Sequence, residues 1–364
     1  MIKVLHIIWS TNMGGIERLV LNLWKAQLQN PLLQPALYAG QSNGTLWKEF
    51  QQTGTTYSGP FSSGHDLQPR KINEVAHLFK QFDVLHFHSF HPATAYAAVR
   101  SGKKIIYTEH GNFGFGRKLT LTDKINRSLL GKFLRNYVNF ITYNSGFSKT
   151  TAEARYHTAT KTNAVVYNGI TIAANQQTSI DSDIASFIEG HTALACIARL
   201  TDVKRIDRLI EAIQHCEKKS RIRLVLFGTG PLENALKSAV EKAGLNSSIM
   251  FAGHRNDIQR YYPAFDAFIL PSANEAFGLV VMEAYAAGRT TLVFKDGGGA
   301  AELVSQCEAD MIAGNPTHLA LLIDQLIDST QLNNSNSEEH RKQFAAKFSI
   351  SNLQEQLFNI YQQV

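Results

Sequence analysis

The stretch SANEAFGLVVMEAYAAG, residues 272–288, holds two carboxylates eight positions apart, Glu275 and Glu283. Nearly every neighbour of Glu283 is apolar, so an ionised carboxylate there needs strong hydrogen-bond donors or must change its pKa. Glu275 comes earlier, just after the apolar run AFILP. Two interpretations stay open on these residues alone. Either Glu275 is a helix N-terminal charge and Glu283 part of a structural ion pair, or the two bind a polar ligand.

Two cations also follow an apolar run closely, as Glu275 does. The segment ARLTDVKRID places Arg199 directly after an apolar run and Lys204 five residues later, before a helix-like stretch. Two cations above the edge of a sheet can neutralise a diphosphate leaving group without a metal ion. Taken singly, each residue is more simply explained as a surface charge.

Three glycine-containing turns follow strand-like runs and precede helix-like stretches. The first has Gly14 and Gly15 with Glu17 in the following turn, the second contains Gly228, and the third lies in 294–304. Glycines at a helix N-terminus let backbone N–H groups approach an anion or a sugar oxygen. The first turn is not G-x-G-x-x-G, so a dinucleotide fingerprint is not supported.

Strand-length apolar runs alternate with helix-length amphipathic stretches along the whole chain. This alternation predicts an α/β protein with parallel sheets covered on both faces. Ligands of such sheets bind at the carboxyl ends of the strands. The predicted strands are 3–10, 35–40, 83–89, 104–110, 140–144, 164–169, 193–199, 223–228, 248–253, 267–272 and 291–297.

The polar stretch 171–183 interrupts the alternation and is the best candidate for a linker. We therefore predict two Rossmann-like, doubly wound domains, 1–168 and 185–349, joined by a linker over 169–184 and separated by a cleft. The amphipathic segment 350–364 is expected to pack back on the first domain.

Charge is distributed unevenly. Residues 1–168 carry 19 Lys and Arg against 8 Asp and Glu, a net +11, whereas 169–364 carry 17 against 22, a net −5. This asymmetry suggests two domains that face different partners.

The sequence has no uninterrupted apolar run of membrane-spanning length, and its start reads as a strand rather than a signal peptide, so we expect a cytoplasmic protein. The cysteines suit neither a disulfide framework nor a zinc site; they are Cys196, Cys216 and Cys307.

Two patterns suggest metal binding and are better explained otherwise. Alternation along a strand places His86 and His88 on one face, but no carboxylate or cysteine cluster accompanies them. A structural role is favoured for them, with His91 either structural or facing an acceptor. The Asp-x-Asp of 181–183 lies in the linker rather than after a strand, which favours solvated charge or a helix cap.

Taken together, the motifs resemble those of retaining glycosyltransferases with the GT-B fold, glycosyltransferase family 4 in particular. The resemblance covers nearly the whole chain and is strongest over 192–305. It is carried by GGIERLVLNL, YNGI, IARL…K, FGTGPL, YYPAFDAFILPSANEAFGLVVMEAYAAG and DGGGAAELV.

The resemblance implies a role for each site residue. Arg199 and Lys204 would hold the donor diphosphate, Glu275 would lie beside the transferred sugar, and Glu283 would accept the ribose hydroxyls. His110, in TEHGN, matches the family's histidine near donor sugar and acceptor; without the resemblance, a structural role would be favoured for it. The expected backbone contacts to the donor come from Gly14, Gly15, Gly228, Phe277, Gly278, Leu279 and Val280.

The implied activity is transfer of a sugar from a nucleoside-diphosphate sugar, expected to be a UDP-sugar, with retention at the anomeric carbon. The acceptor would be a hydroxyl of a lipid-linked or saccharide substrate in cell-surface polysaccharide or lipopolysaccharide biosynthesis. The N-terminal domain would bind this acceptor, and neither a metal nor a further cofactor is expected. Two alternatives remain: a sugar-nucleotide epimerase of similar fold, and a non-catalytic, donor-binding subunit of a polysaccharide assembly.

Residues 116–137 interleave cations with apolar side chains. Since the acceptor would bind this domain, we expect the stretch to dock on anionic lipid, at the inner face of the cytoplasmic membrane. A core helix with a solvated basic face explains the pattern equally well. Nucleic acid is a weaker explanation, because the stretch matches no recognition motif. Its cations are Arg117, Lys118, Lys124, Arg127, Lys132 and Arg135.

Overall fold

The computed structural model describes residues 1–62, 66–111, 119–171, 180–255, 257–328 and 335–364. The chain forms two compact units. Unit 1 comprises Met1–Thr171 together with Ser349–Val364, and unit 2 comprises Ile172–Phe348. Each unit has its own sheet.

The sheet of unit 1 has seven strands in the order β3-β2-β1-β4-β5-β6-β7, and the paired strands are all parallel. The direction of winding changes between β1 and β4, which makes this pair the switch point of the sheet. The strands are β1 (Ile2–Ile8), β2 (Leu33–Ala39), β3 (Thr56–Ser58), β4 (Val84–Phe87), β5 (Lys104–Glu109), β6 (Phe140–Tyr143) and β7 (Asn163–Val165).

Helices connect these strands, as parallel pairing requires. The helix that follows β5 begins with a capping box, in which Thr120 and Asp123 satisfy each other's backbone N–H groups. The helices are α1 (Gly15–Gln27), α2 (Trp47–Thr53), α3 (Pro69–Phe79), α4 (Pro92–Ser101), α5 (Leu121–Asn136) and α6 (Gly146–Tyr156).

Unit 2 has a six-stranded sheet in the order β10-β9-β8-β11-β12-β13. Its strand pairs are also parallel, and its switch point lies between β8 and β11. The strands are β8 (Thr192–Ile197), β9 (Ile222–Phe227), β10 (Ile249–Gly253), β11 (Ala267–Leu270), β12 (Thr290–Phe294) and β13 (Ile312–Ala313).

Seven helices accompany this sheet in the described part of unit 2. In the last of them Arg341 is buried, and it bonds to Glu308 and to the carbonyl of Gly288. The helices are α7 (Ser182–Ile188), α8 (Ile206–His215), α9 (Glu233–Lys242), α10 (Leu279–Ala286), α11 (Gly299–Cys307), α12 (Pro316–Asp328) and α13 (Ser335–Ala346).

After unit 2 the chain returns to unit 1 as helix α14 (Ile350–Gln363). The N–H of Ile350 donates to the carbonyl of Ile170 at 3.0 Å. A Cβ at Gly169 would lie 2.7 Å from the Ile350 Cα, so only glycine allows this approach. Helix α14 packs against α1 and buries Leu353, Leu357, Ile360 and Tyr361 in one cluster with core residues of β1, β4, β5 and β6.

The predicted α/β class with two Rossmann-like domains is confirmed, and all eleven predicted strands are present. Two strands were not predicted, β3 and β13, which have three and two residues and lie at sheet edges. The predicted linker 169–184 extends too far, because α7 already begins at Ser182; its central residues, 172–179, lie outside the described residues. No helix in the described segments is long and apolar enough to cross a membrane.

Candidate functional site

The loops that follow β8 and β11 meet at the switch point of unit 2. There the Lys204 Nζ lies 2.5 Å from the Glu275 Oε2, and the two side chains are only 18% and 21% exposed. The structure therefore brings two of the predicted catalytic residues into direct contact. Such an ion pair at the carboxyl edge of a parallel sheet stands where open α/β proteins bind ligands.

Arg199 lies in the first of these loops, which the neighbouring glycine turn holds in place. The N–H of Leu200 donates to the carbonyl of Thr229 at 3.0 Å, and that of Leu232 to the carbonyl of Leu200 at 3.1 Å. A Cβ at Gly228 would lie 2.1 Å from the Ala198 carbonyl oxygen. Gly228 is thus needed for close backbone packing, which positions Arg199.

The Arg199 side chain itself is exposed. Among the residues that the structure describes, no hydrogen bond or ion pair engages its guanidinium. Because the fold does not use this cation, it is available to an anionic ligand.

The Glu275 loop is fixed through its backbone by the turn after β12. The N–H of Gly299 donates to the carbonyl of Glu275 at 2.7 Å, and that of Asn274 to the carbonyl of Asp296 at 2.8 Å. Arg208 of α8 contacts both loops: it bonds to the carboxylate of Asp296 at 3.0 and 2.9 Å and to the carbonyl of Pro271 at 3.1 Å. Sequence reasoning missed Arg208, because nothing in its helix distinguishes it from a solvated charge.

Helix α10 begins beside Glu275. Its cap, Gly278, has a φ of 97°, a left-handed conformation that favours glycine. In the first turn the N–H groups of Leu279 and Val280 have no intrahelical acceptor, so they suit an anion or a sugar oxygen. The ring of Phe277 is buried against Phe348, so this side chain packs within unit 2.

Glu283, one turn into α10, is partly buried. The Tyr262 Oη donates to the Glu283 Oε2 at 2.6 Å. Burial raises the pKa of Glu283, and the hydrogen bond from Tyr262 acts in the opposite direction. No Lys or Arg in the described part of the chain pairs with this carboxylate, so the alternative of a structural ion pair at Glu283 is wrong for these residues.

In unit 1, Gly14 caps α1 in an extended conformation and Gly15 is the first helical residue. Glu17 folds back over the cap, since a Cβ at Gly14 would lie 2.4 Å from the Glu17 Oε2. Burial raises the pKa of Glu17. An anion at these glycines would therefore meet a carboxylate, whereas a sugar hydroxyl could donate to it.

His110 follows β5, and its Nε2 lies 3.2 Å from the Nδ1 of His88. The Nδ1 of His110 is buried and has no hydrogen-bond partner among the described residues. Burial lowers the pKa of His110 to about 4, so the ring is neutral at pH 7.

Three further histidines lie in the core of unit 1. His6, His86 and His88 are buried, and one ring nitrogen of each lies within 4.8 Å of the others, close enough to surround a metal ion. However, both ring nitrogens of all three are already hydrogen-bonded. An ion would have to break these bonds, so the residues do not fit a metal as they stand.

The two remaining metal or acceptor candidates have structural contacts. Asp181 stands at the N-cap of α7 and forms ion pairs with Arg255 and Arg260 at 2.9 and 2.5 Å. His91 is buried, caps α4, and stacks on Trp9 with the ring centroids 3.4 Å apart. Both therefore stabilise the fold where they lie.

Comparison with known proteins finds that this chain is similar to glycosyltransferases. The family Glycosyltransferase Family 4 matches residues 13–174, and Glycosyl transferases group 1 matches residues 165–343. An uncharacterised glycosyltransferase of Methanocaldococcus jannaschii is 28% identical over 45% of this chain and 43% of its own length. The lipopolysaccharide core biosynthesis glycosyltransferase LpsD of Rhizobium meliloti is 25% identical over 95% of each chain.

Among solved structures, Anabaena HepE in complex with UDP and glucose superimposes with a TM-score of 0.80 at 18% identity, covering 100% of both chains. This likeness establishes the architecture. The two family matches together span most of the chain and describe glycosyltransferases. The protein is therefore a glycosyltransferase with the GT-B fold.

Proposed function

We propose that this protein is a retaining glycosyltransferase that moves a sugar from a nucleoside-diphosphate sugar, a UDP-sugar, to a hydroxyl group. The acceptor is a lipid-linked or saccharide molecule in cell-surface polysaccharide or lipopolysaccharide biosynthesis. The observation that carries this proposal is the Lys204–Glu275 pair at the switch point, with the unengaged Arg199 beside it in sequence. LpsD, by its name, acts in lipopolysaccharide core biosynthesis, and HepE binds UDP, which supports both the pathway and the nucleotide.

In this proposal each group of the site has one task. Arg199, Lys204 and the N–H groups at the start of α10 neutralise the diphosphate as it leaves with negative charge. Glu275 bonds to the transferred sugar. Glu283 accepts hydrogen bonds from the ribose hydroxyls, which gives its partly buried carboxylate polar partners in addition to the Tyr262 hydroxyl.

The reaction proceeds by attack of the acceptor hydroxyl on the same face from which the diphosphate departs. The bond between the anomeric carbon and the phosphate oxygen breaks, the new glycosidic bond forms, and the departing phosphate takes the proton of the acceptor. The two cations and the helix amides supply the charge stabilisation that other enzymes obtain from a metal ion.

Two substitutions test the assignment. Glu275→Gln and Arg199→Ala should each lower the rate of sugar transfer by about 100-fold or more, since removing one group that stabilises transition-state charge costs roughly 3–4 kcal/mol. Glu241→Gln and Arg221→Ala, exposed positions away from these loops, serve as matched controls. Rates within a few-fold of wild type for the site variants would reject the assignment.

The same assay separates the alternative activities. The protein is incubated with UDP-glucose, UDP-galactose, UDP-N-acetylglucosamine or GDP-mannose, with and without lipid extract. A transferase forms a glycosylated product only with the extract. An epimerase converts the donor without it, and a non-catalytic subunit binds a donor but leaves it unchanged. A prior thermal-shift screen of these donors selects the one to use.

We further propose that the protein is cytoplasmic and that helix α5 docks it on an anionic membrane surface. The helix buries Leu130, Phe133 and Leu134 in the core, while Leu121 and Ile125 on another face are 74% and 50% exposed. Exposed cations lie along one side of this second face and further along the helix: Lys124, Arg127, Lys132 and Arg135. An exposed apolar stripe beside cations suits the interface of an anionic bilayer. Arg117 and Lys118, which were predicted to contribute, lie outside the described residues.

Co-sedimentation with phosphatidylglycerol vesicles at low salt tests the docking. Replacing both Leu121 and Ile125 with serine should reduce binding, because apolar area at the interface is lost. Leu321→Ser removes an equally exposed leucine, 54% accessible, from α12 of unit 2 and is the control. Docking through α5 is rejected if the wild-type protein does not sediment or if the double variant binds as well as wild type.

A further inference from the structure

A continuous row of buried hydrogen bonds connects the end of α1 to His110. The Gln27 Oε1 lies 2.6 Å from the His6 Nε2, the His6 Nδ1 lies 2.9 Å from the His88 Nε2, and the His88 Nδ1 lies 3.2 Å from the His110 Nε2. Gln27, His6 and His88 are at most 3% exposed. We call these four side chains the histidine row.

The direction of every proton in the row follows from Gln27. An amide oxygen only accepts, so the His6 Nε2 must donate to it. In a neutral ring the other nitrogen is then an acceptor, so the His6 Nδ1 accepts from the His88 Nε2. By the same rule the His88 Nδ1 accepts from the His110 Nε2. The outer nitrogen of His110, Nδ1, is consequently left with a lone pair.

A second branch is satisfied in the same orientation of the Gln27 amide. The Gln27 Nε2 donates to the Tyr361 Oη at 3.2 Å, and the Tyr361 hydroxyl is therefore free to donate to the His86 Nδ1 at 2.7 Å. The His86 Nε2 then donates to the Thr108 Oγ1, also at 2.7 Å. Donors and acceptors alternate along this branch, so Tyr361 of α14 is compatible with the same orientation of the row.

The rings of the row are neutral. Burial lowers the pKa of His6 to about 4 and that of His88 well below its ordinary value. The hydrogen-bond directions given above hold only for neutral rings, because a protonated imidazole donates from both nitrogens.

The row ends on an atom that the fold leaves unsatisfied. The Nδ1 of His110 is buried and has no partner in the described part of the chain. A buried acceptor without a donor destabilises the protein, because the desolvation of that atom is not compensated. Three further buried polar side chains are thus linked by hydrogen bonds to His110, whose Nδ1 lacks a donor. The hydroxyl group of a ligand would supply this donor.

We propose that Gln27, His6 and His88 are positioning residues that hold neutral His110 as the Nε2–H tautomer, so that its Nδ1 accepts a hydrogen bond from a sugar hydroxyl. The inference rests on the proposed function for the nature of the ligand. The hydroxyl belongs to the transferred sugar or to the acceptor saccharide, and the two sources are separated below.

The tautomer is tested first, on the full chain labelled with 15N-histidine. Long-range proton–nitrogen correlation spectra at pH 7.5 distinguish protonated from unprotonated ring nitrogens, and loss of signals in His110→Gln assigns His110. We expect an unprotonated Nδ1 and a protonated Nε2. Rotation of the Gln27 amide by half a turn would reverse every donor in the row, so a protonated Nδ1 would overturn the proposal.

Two substitutions at His88 then test the positioning role. His88→Phe keeps a ring but removes both nitrogens, whereas His88→Asn restores an acceptor near the position of Nδ1. We expect mixed His110 tautomers in His88→Phe and the wild-type tautomer in His88→Asn. Tyr143→Phe, which removes a buried hydroxyl bonded to Thr158 in the same unit, is the control. If His88→Phe does not fold, the wild-type spectrum and His88→Asn still decide.

Binding and turnover identify the source of the hydroxyl. If it belongs to the donor, His88→Phe weakens binding of the selected sugar nucleotide about 5- to 10-fold, the effect of one hydrogen bond, and leaves binding of the free nucleotide unchanged. If it belongs to the acceptor, donor binding is unchanged, but half-maximal transfer requires several-fold more lipid extract. A folded His88→Phe that matches Tyr143→Phe in both measurements refutes the proposal. Failure of the wild-type protein to bind any sugar nucleotide refutes instead the proposed function.

Discussion

Glu283 shows how one residue in an unfavourable place indicates function. Its helix, α10, is apolar on nearly every face, and burial raises the pKa of the carboxyl. Among the described residues one donor, the Tyr262 hydroxyl, bonds to it, while a carboxylate has about four lone-pair positions. The unused acceptor capacity suits two neighbouring hydroxyls, such as those of a ribose.

The pH dependence of nucleotide binding should reveal the part played by Tyr262. In Tyr262→Phe the hydrogen bond that lowers the pKa of Glu283 is absent while burial still raises it, so Glu283 becomes protonated at a higher pH. Since the proton removes the acceptor, we expect UDP affinity to fall as Glu283 becomes protonated. The acid limb of the binding curve should move to higher pH. Calorimetric titration of the protein with UDP, repeated at several pH values between about 5 and 8, measures both effects.

Tyr261→Phe is the matched control for this experiment. It removes the hydroxyl of the preceding buried tyrosine, which bonds to Arg260 rather than to Glu283. Unchanged pH dependence in Tyr262→Phe, or the same change in both variants, would show that Tyr262 does not act through Glu283.

Residue types and spacing predicted the candidates at the site but not their contacts. Glu275 and Lys204 could be singled out because each follows an apolar strand, yet their direct ion pair depends on the order of β8 and β11 in the sheet. Tyr262, Arg208 and Gln27 carried no signal. Each acts through a partner at least 21 positions away, which only the folded chain brings within reach.

At the scale of elements, the loops of unit 2 depend on glycines at points where backbones touch. Gly278 is the clearest case, because it combines a φ of 97° with a hypothetical Cβ only 2.9 Å from the Cβ of Ala300. It joins the Glu275 loop to α10, while α11 passes close by. The start of α10 can therefore approach α11 only with glycine at this position.

Gly278→Ala should thus be costly for two separable reasons. The left-handed backbone costs about 1–2 kcal/mol with a Cβ, and the contact with Ala300 adds about 1 kcal/mol or more. Gly244→Ala is the control for the first term, because Gly244 has a φ of 66° and open space around it. In urea unfolding we expect Gly278→Ala to lose more stability than Gly244→Ala and to bind UDP more weakly. Equal losses would mean that the contact with Ala300 relaxes without cost.

The alternation of strands and helices was sufficient to predict eleven of the thirteen strands that the structure describes. What it missed were edge strands too short to show a pattern, β3 and β13. The start of α7 was missed for a different reason. Ser182 and Asp183 are polar and follow a polar stretch, so composition favoured a linker although the positions are helical.

At the scale of the whole molecule, unit 1 is built from two separate parts of the sequence. Helix α14 reaches it after the chain has passed through unit 2, and it closes a cluster with β1, β4, β5 and β6. The same helix brings Tyr361 to Gln27 and His86. Packing of unit 1 and the hydrogen bonds of Gln27 and His86 therefore depend on the same distant segment.

A single cavity in α14 should consequently destabilise unit 1 selectively. Leu357 is 2% exposed within the cluster, and replacing a buried leucine with alanine costs about 2–5 kcal/mol. Because its neighbours in this cluster belong to unit 1, we expect Leu357→Ala to accelerate amide exchange in peptides of β1 and β4 while leaving those of β8 and β9 unchanged. Hydrogen exchange read by mass spectrometry resolves the two sets. Asn359→Ala, an exposed position on the same helix, should change neither set by more than about 0.5 kcal/mol. Faster exchange in both units of Leu357→Ala would contradict this expectation. It would mean that the two units unfold together, because a defect in the core of unit 1 would then also destabilise the sheet of unit 2.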